Sequence, residues 1–244
     1  GGMKTQGYLG IDVGTQGLSV IFVDDALRLR AAGDGSYEMV PGLGEGEYEQ
    51  QPADWEQALA AAMQDLRAKL ATLGVELDVR AIGISGQMHG EVLCDADGEP
   101  LAPARLWCDG RNEAEGHELT ALLGVKCPKR LTAARWLWTI RNRPSLAAKA
   151  MHLTTPGGWI ARRLTGEWTL GIGDASGMFP IDQGSLDYDA KRLAEFDALI
   201  ARTAPTLKLP SLRELLPAVR KAGDHGGSLD AHGAKLLGLS QGIP

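Results

Sequence analysis

Near the start of the chain, two apolar runs, Tyr8–Val13 and Leu18–Asp24, flank a short connection, Gly14-Thr15-Gln16-Gly17. Runs this short, rich in Ile, Val, Leu and aromatics and bounded by glycine, predict two strands joined by a tight turn. Leu27–Ala32 and Tyr37–Val40 can supply a third strand, and the Gly- and Glu-rich stretch Pro41–Glu49 predicts a loop. Trp55, Leu59, Ala62, Met63, Leu66, Leu70 and Leu73 then recur at helical spacing, which predicts a helix over Ala53–Leu73 with one face in the core. Pro52 suits its first turn and Gly74 its end. Val79–Ser85 predicts a buried strand, followed at once by Gly86-Gln87-Met88-His89-Gly90. Glu91–Cys94 and Arg105–Cys108 predict a hairpin around the turn Asp95-Ala96-Asp97-Gly98.

The second half of the chain reads mostly as helices: Asn112–Leu123, Leu131–Arg141, Ser145–Ala150, Trp159–Leu164, Ala190–Ile200 and Ala231–Leu239, with a short strand at Met151–Thr154. Leu170–Gly177 predicts a glycine-punctuated loop, and Thr203–Ser228, interrupted by Pro and Gly, an irregular segment. Strands first, then a helix, then strand, loop and helices is an α/β layout without strict β-α-β alternation. No G-x-G-x-x-G follows a strand and no G-x-x-x-x-G-K-[ST] occurs, which argues against dinucleotide and P-loop folds.

Composition narrows the class. The chain has 244 residues, 44% hydrophobic and 23% charged, enough for a sizeable core. A net charge of −6 without a basic stripe argues against nucleic acid as a partner. Cys94, Cys108 and Cys127 form no C-x-x-C pair, which fits a reducing, cytoplasmic setting and gives no zinc framework. No apolar stretch is long enough to span a bilayer, so no membrane partner is expected. Gly1-Gly2 before Met3 reads as a tag remnant.

Candidate chemistry begins at the first turn. Backbone N–H groups there and the Thr15 hydroxyl can hold phosphate oxygens, and Asp12 can hold Mg²⁺ directly or through water. An ordinary hairpin with an Asp near its turn has the same pattern. His89 follows a buried strand, at the end where open α/β sheets bind ligands. Its imidazole can bond hydroxyls or be satisfied within the core. Asp174 lies among Gly173, Ala175, Ser176 and Gly177, small neighbours that allow a ligand close. An Asp there can equally close a turn or cap a helix. Asp109 can accept bonds from a ligand with Arg111 holding it, or cap the next helix. Trp107 reads as a packing residue or an apolar wall, and Trp55, Trp136, Trp138, Trp159 and Trp168 as core.

Taken together, GIDVGTQG, GISGQMHG, LWCDGR, RRLTGEW and GDASGMFPID occur in the order and approximate spacing of the FGGY carbohydrate kinases. Over Met3–Pro244 the chain resembles the N-terminal, sugar-binding domain of that family, and Gln87-Met88-His89-Gly90 with Trp107-Asp109-Gly110-Arg111 resembles its xylulokinase branch. The resemblance implies a ribonuclease-H-like (actin/Hsp70-type ATPase) domain, a mixed sheet flanked by helices. It implies transfer of the ATP γ-phosphoryl group to a ketose, D-xylulose first, with Mg²⁺. It assigns the general base to Asp174, sugar contacts to Gln87, Met88, His89 and Asp109, phosphate contacts to Gly14, Thr15 and Gln16, and the metal to Asp12. A C-terminal nucleotide-binding domain is expected outside these residues, so that the isolated chain is inactive. Arg135 stands where the family often has Lys, and Gly157-Gly158 where it has Lys-Asp. These departures leave open another ketose, a polyol, or a non-catalytic sugar-binding module. An ATPase of the same broad fold is a weaker alternative, and a homodimer one option for assembly.

Overall fold

A computed structural model describes residues 2–87, 89–221 and 226–244. Three strands open the chain: β1 (Met3–Val13), β2 (Gly17–Asp24) and β3 (Leu29–Ser36). The two-residue β4 (Glu49–Gln50) precedes the long helix α1 (Pro52–Thr72), and β5 (Val75–Gly86) follows it. These build one mixed sheet in the order β3-β2-β1-β5, with β1 antiparallel to β2 and parallel to β5. Parallel pairing of β1 and β5 needs a crossover, and α1 is that crossover.

Leu9, Ile11 and Val13 of β1 and Leu18, Val20 and Phe22 of β2 alternate onto one face and are buried in one core with the apolar stripe of α1. The opposite face carries Tyr8, Gly10, Asp12, Ser19 and Ile21, and Tyr8 and Ile21 are exposed. Strand β3 differs from its prediction. It spans Leu29–Ser36, through Gly33 and Gly35, and Tyr37–Val40 is not part of it. A Cβ on Gly33 would stand 2.0 Å from the Ala62 carbonyl oxygen, and one on Gly35 2.2 Å from that of Ala58. Glycine serves here for close approach of α1 to the sheet, not for a turn. The end of α1 is as predicted, with Leu73 as its last cap and Gly74 at φ +68°.

Beyond β5 come β6 (Val92–Cys94), β7 (Ala104–Arg105), α2 (Glu113–Leu123), α3 (Thr132–Asn142), α4 (Pro144–Ala147), β8 (His152–Thr154) and α5 (Pro156–Thr165). The predicted hairpin is corrected. The Asp95–Gly98 turn closes with Gly98 N–H donating to Asp95 O at 3.1 Å. Cys94 bridges Pro100 and Glu91 bridges Arg105 across it, but β6 pairs with β8 and β7 with β4. Alternation on β6 joins two hydrophobic cores. Val92 and Cys94 face the core under the sheet, and Leu93 faces a second core built on α2, α3 and the later helices.

The glycine-punctuated segment is likewise more regular than predicted: β9 (Thr169–Gly171) runs into one turn of helix, α6 (Ile172–Ala175). The hairpin β10 (Ile181–Asp182) and β11 (Asp187–Tyr188), α7 (Ala190–Thr203), α8 (Leu212–Leu215), β12 (Ala218–Arg220) and α9 (Ala231–Leu237) complete the chain. β12 pairs with β9, so part of the expected irregular stretch is a strand. Among the described residues no helix is long and apolar enough to cross a membrane.

If close approach of α1 sets the sheet's curvature, a single methyl on β3 should be costly. Gly33→Ala is expected to destabilise the fold by about 3 kcal/mol, read as a lower urea midpoint at unchanged slope.

Candidate functional site

Pairing β1 with β5 in parallel brings their C-terminal ends out side by side. Asp12 is opposite Ser85 and Val13 opposite Gly86. The Ser85 hydroxyl lies 3.4 Å from Asp12 Oδ1, and both residues are exposed. The turn after β1 is held from inside the protein. The Tyr37 hydroxyl meets the carbonyls of Gly14 and Gly17, the latter at 2.9 Å. Gln50 Nε2 donates to Thr15 O at 2.6 Å, and Gln87 Nε2 to Gly14 O at 3.1 Å. Gln50 Oε1 accepts from Trp55 Nε1 at 3.0 Å and from Gln87 Nε2 at 3.2 Å. On the open side, Trp107 Nε1 donates to Thr15 Oγ1 at 3.2 Å. Gly14 is required: a Cβ there would stand 2.9 Å from Gly17 O.

The loop after β5 carries the second group. His89 has φ +67° and Gly90 φ +90°. A non-glycine residue in that region marks stored strain, of the kind found at binding sites. The loop is tied down by Thr132 Oγ1 donating to Gly90 O at 2.8 Å and by His89 Nδ1 at 3.0 Å from Gly177 O. A carbonyl can only accept, so Nδ1 carries the proton and Nε2 is left as an acceptor. Burial, together with Arg130 and Arg135, holds the His89 pKa below the ordinary imidazole value, against the opposing pull of Gly177 O and Asp174. A Cβ on Gly177 would fall 2.6 Å from His89 Nδ1, so this contact needs glycine there.

Asp174 sits within α6 and makes no helix cap, the cap position being Gly171. Burial raises its pKa above the ordinary carboxylate value, opposed by His89 and Arg220. It borders a cavity of about 390 Å³ shared with Gly86, Gly157, Leu170 and Arg220. Asp12 and Ser85 border a different, shallower recess with Gly10, Ser19 and Gly83, and Ile84 touches both. The structure therefore places His89, against Gly177 O, near enough to Asp174 for each to feel the other's charge, and joins Asp12 to Ser85 beside the Thr15 turn. The two groups flank the end of β5 and do not share one recess.

Two predicted sugar contacts have other occupations. Gln87 is buried and its amide nitrogen is turned to Gly14 and Gln50. Its Oε1 finds no partner among the described residues. Asp109 is fully buried, accepting from Tyr48 N–H at 2.9 Å and from Arg111 Nη2 at 2.7 Å. Burial alone would raise its pKa, but these bonds to Arg111 and Tyr48 hold it below the usual range. It does not cap α2, whose cap residue is Asn112. Met88 lies outside the described residues.

Trp107 is 45% exposed, so the packing role is overturned. Its loop is anchored by Arg135, which donates to Trp107 O at 2.6 Å and Asp109 O at 3.0 Å. Burial and the neighbouring Arg105 pull the Arg135 pKa down to about 10, so it stays charged at neutral pH. Tyr37 and Gln50 were invisible as site residues in the sequence, and Arg135 stood out only as a departure from the family's Lys. No local motif marks them, because each reaches the site from a distant element.

Asp12 fits Mg²⁺, which is commonly held by one or two carboxylates plus phosphate oxygens and water. The Gly14–Gly17 turn, with its carbonyls drawn inward, fits phosphate on its outer side. Among the described residues no cluster of three or more His, Cys, Asp or Glu forms an all-protein metal site.

Residues 7–244 match the model of the FGGY family of carbohydrate kinases, N-terminal domain. Xylulose kinase of Haemophilus influenzae is 30% identical over 97% of this chain and 48% of that protein. Xylulose kinase of Escherichia coli K12 is 30% identical over 96% of this chain and 46% of that protein. The chain thus spans about half the length of the relatives it matches. The structure of xylulose kinase from Rhodospirillum rubrum superposes with a TM-score of 0.81 at 25% identity, covering 97% of this chain and 48% of that one. A Plasmodium falciparum glycerol kinase with ADP shares the fold, with a TM-score of 0.76 at 22% identity, over 98% of this chain and 48% of that one. The architecture is the actin/Hsp70-like ATPase fold of these sugar kinases. The chain belongs to the FGGY family of carbohydrate kinases, as its N-terminal domain.

Proposed function

We propose that the complete protein transfers the γ-phosphoryl group of ATP to a hydroxyl of a ketose, with D-xylulose the first candidate. The observation that carries this reading is the bond between His89 Nδ1 and Gly177 O. It leaves an imidazole acceptor at the end of β5, within electrostatic reach of the Asp174 carboxylate and near a turn suited to phosphate. His89 Nε2 accepts a bond from one sugar hydroxyl and fixes its direction. Asp174, with its raised pKa, is the candidate to take the proton of the hydroxyl that attacks phosphorus. Thr15 and Gln16 hold phosphate oxygens, and Asp12 would hold the metal, which would neutralise charge on the phosphates. The nucleotide's other contacts come from outside these residues, so the isolated chain is expected to show no phosphotransfer in a coupled ADP assay.

A second role for Asp174 is favoured by one observation: it and Asp12 border different recesses. In that case Asp174 orients the sugar and the proton acceptor lies elsewhere in the complete protein. Asp174→Asn separates the two. A base predicts kcat down about 100-fold or more at nearly unchanged ketose KM. An orienting residue predicts that ketose KM rises most.

The same variant tests the electrostatics. A raised folded pKa means that the folded state binds the Asp174 proton more tightly than the unfolded chain. Stability from this group is present at low pH and is lost as pH rises from the unfolded value through the folded one. Ionised Asp174 is then a net cost at pH 7. Asp174→Asn is expected to raise the thermal unfolding midpoint at pH 7 and to lose that advantage below the ordinary carboxylate pKa. For His89 the sign is opposite: its pKa is lowered, so stability is present above the ordinary imidazole value and is lost as pH falls through the folded one.

A further inference from the structure

Three carbonyls of the Gly14–Gly17 turn point into the protein, and each meets a side chain from a different part of the chain. Tyr37 comes from the segment after β3, Gln50 from β4 and Gln87 from the loop after β5. Gln50 is completely buried, Tyr37 and Gln87 nearly so. Burial of the phenol, with Asp12 nearby, raises the Tyr37 pKa, so the hydroxyl keeps its proton and remains a donor. All three side chains therefore offer hydrogen to oxygen.

A trans peptide is planar, with its C=O and N–H pointing in opposite directions. Drawing Gly14 O inward turns the Thr15 N–H outward, and drawing Thr15 O inward turns the Gln16 N–H outward. Neither N–H is engaged by a described residue, and Gln16 is exposed. Two successive outward N–H groups make a small concavity for an anion. The Thr15 hydroxyl is oriented as well. Its oxygen accepts the Trp107 indole N–H, which leaves its own hydrogen free to donate.

From this geometry we infer that Tyr37, Gln50 and Gln87 are positioning residues, which hold the Gly14, Thr15 and Gly17 carbonyls inward so that the Thr15 and Gln16 N–H groups face the phosphates of the nucleotide. None of the three touches the ligand. Gln50 is the side chain that meets Thr15 O, so removing its amide lets that carbonyl turn toward the phosphate, where oxygen repels oxygen; Gly14 O is shared by Tyr37 and Gln87 and turns freely when both are lost. The inference rests on the kinase reading for the identity of the anion, and on the hydrogen bonds alone for the direction of the N–H groups.

The test uses the complete protein. Gln50→Met, which keeps the bulk, is expected to raise KM for ATP about three- to tenfold and to leave ketose KM within about twofold; Tyr37→Phe, which keeps the ring and leaves Gln87 on Gly14 O, is expected to raise KM for ATP less. In an NMR titration of the wild type with Mg²⁺–ADP, the Thr15 and Gln16 amide signals are expected to shift. At equal nucleotide the shift is smaller in the variants. A general packing defect would move both KM values together. The inference is overturned if folded variants keep the wild-type KM for ATP and wild-type amide shifts, or if both KM values rise in proportion. If Gln50→Met fails to fold, Gln50→Glu decides, since it keeps the acceptor for Trp55 and Gln87 and loses the donor to Thr15 O. A complete protein that releases no ketose-dependent ADP would refute the kinase reading instead, and the amide titration would then decide the inference alone.

Discussion

The parallel ladder between β1 and β5 is the constraint from which the site follows. Antiparallel pairing would send the two strand ends to opposite edges of the sheet. Parallel pairing sends both C-terminal ends to one edge, and residues that follow them emerge as neighbours. Asp12 meets Ser85 there, and Gln87 reaches back to the turn after β1. The ladder depends in turn on α1, which carries the chain from β4 round to β5 and lies close on the sheet only because Gly33 and Gly35 lack side chains.

A second constraint is electrostatic. Between the two hydrophobic cores lies a buried polar layer in which Glu91 pairs with Arg105, Asp109 with Arg111, and Arg135 with backbone carbonyls. Arg105, Arg111 and Arg143 also stand over the Trp138 ring. Such charges are costly to bury and are tolerated when each is paired or hydrogen-bonded. Their work here is geometric. Arg135 fixes the carbonyls of Trp107 and Asp109 from behind, and the Trp107 indole reaches Thr15 from the front. The interior thereby controls a surface loop beside the proposed phosphate turn.

Several features near the end of β5 cost stability. His89 has a left-handed backbone, and the Asp174 carboxylate is partly withdrawn from water. Strain and desolvation of this kind cluster where a protein binds ligands, because the ligand completes contacts that the fold leaves open. Gly177 makes that arrangement possible by admitting the imidazole against its backbone.

Short-range chemistry was legible in the sequence. Short apolar runs bounded by glycine marked β1 and β2, a helical stripe marked α1, and Gly74 marked its end, because each signal depends on neighbours within a turn or two. The five motif blocks pointed to the family, and the family match bears this out. Partnership across the chain was not legible. The role of Gly33 and Gly35 depends on α1 lying against them, and the Asp95–Gly98 turn gave no hint that β6 and β7 would pair elsewhere. Gln87 and Asp109 carried side chains suited to a sugar, yet tertiary contacts turned their polar atoms to Gly14, Gln50, Tyr48 and Arg111. The sequence by itself determined which residue types and local elements were available. Only the tertiary structure decided which way each polar group points, since a hydrogen bond's direction is set by a partner that can lie anywhere along the chain.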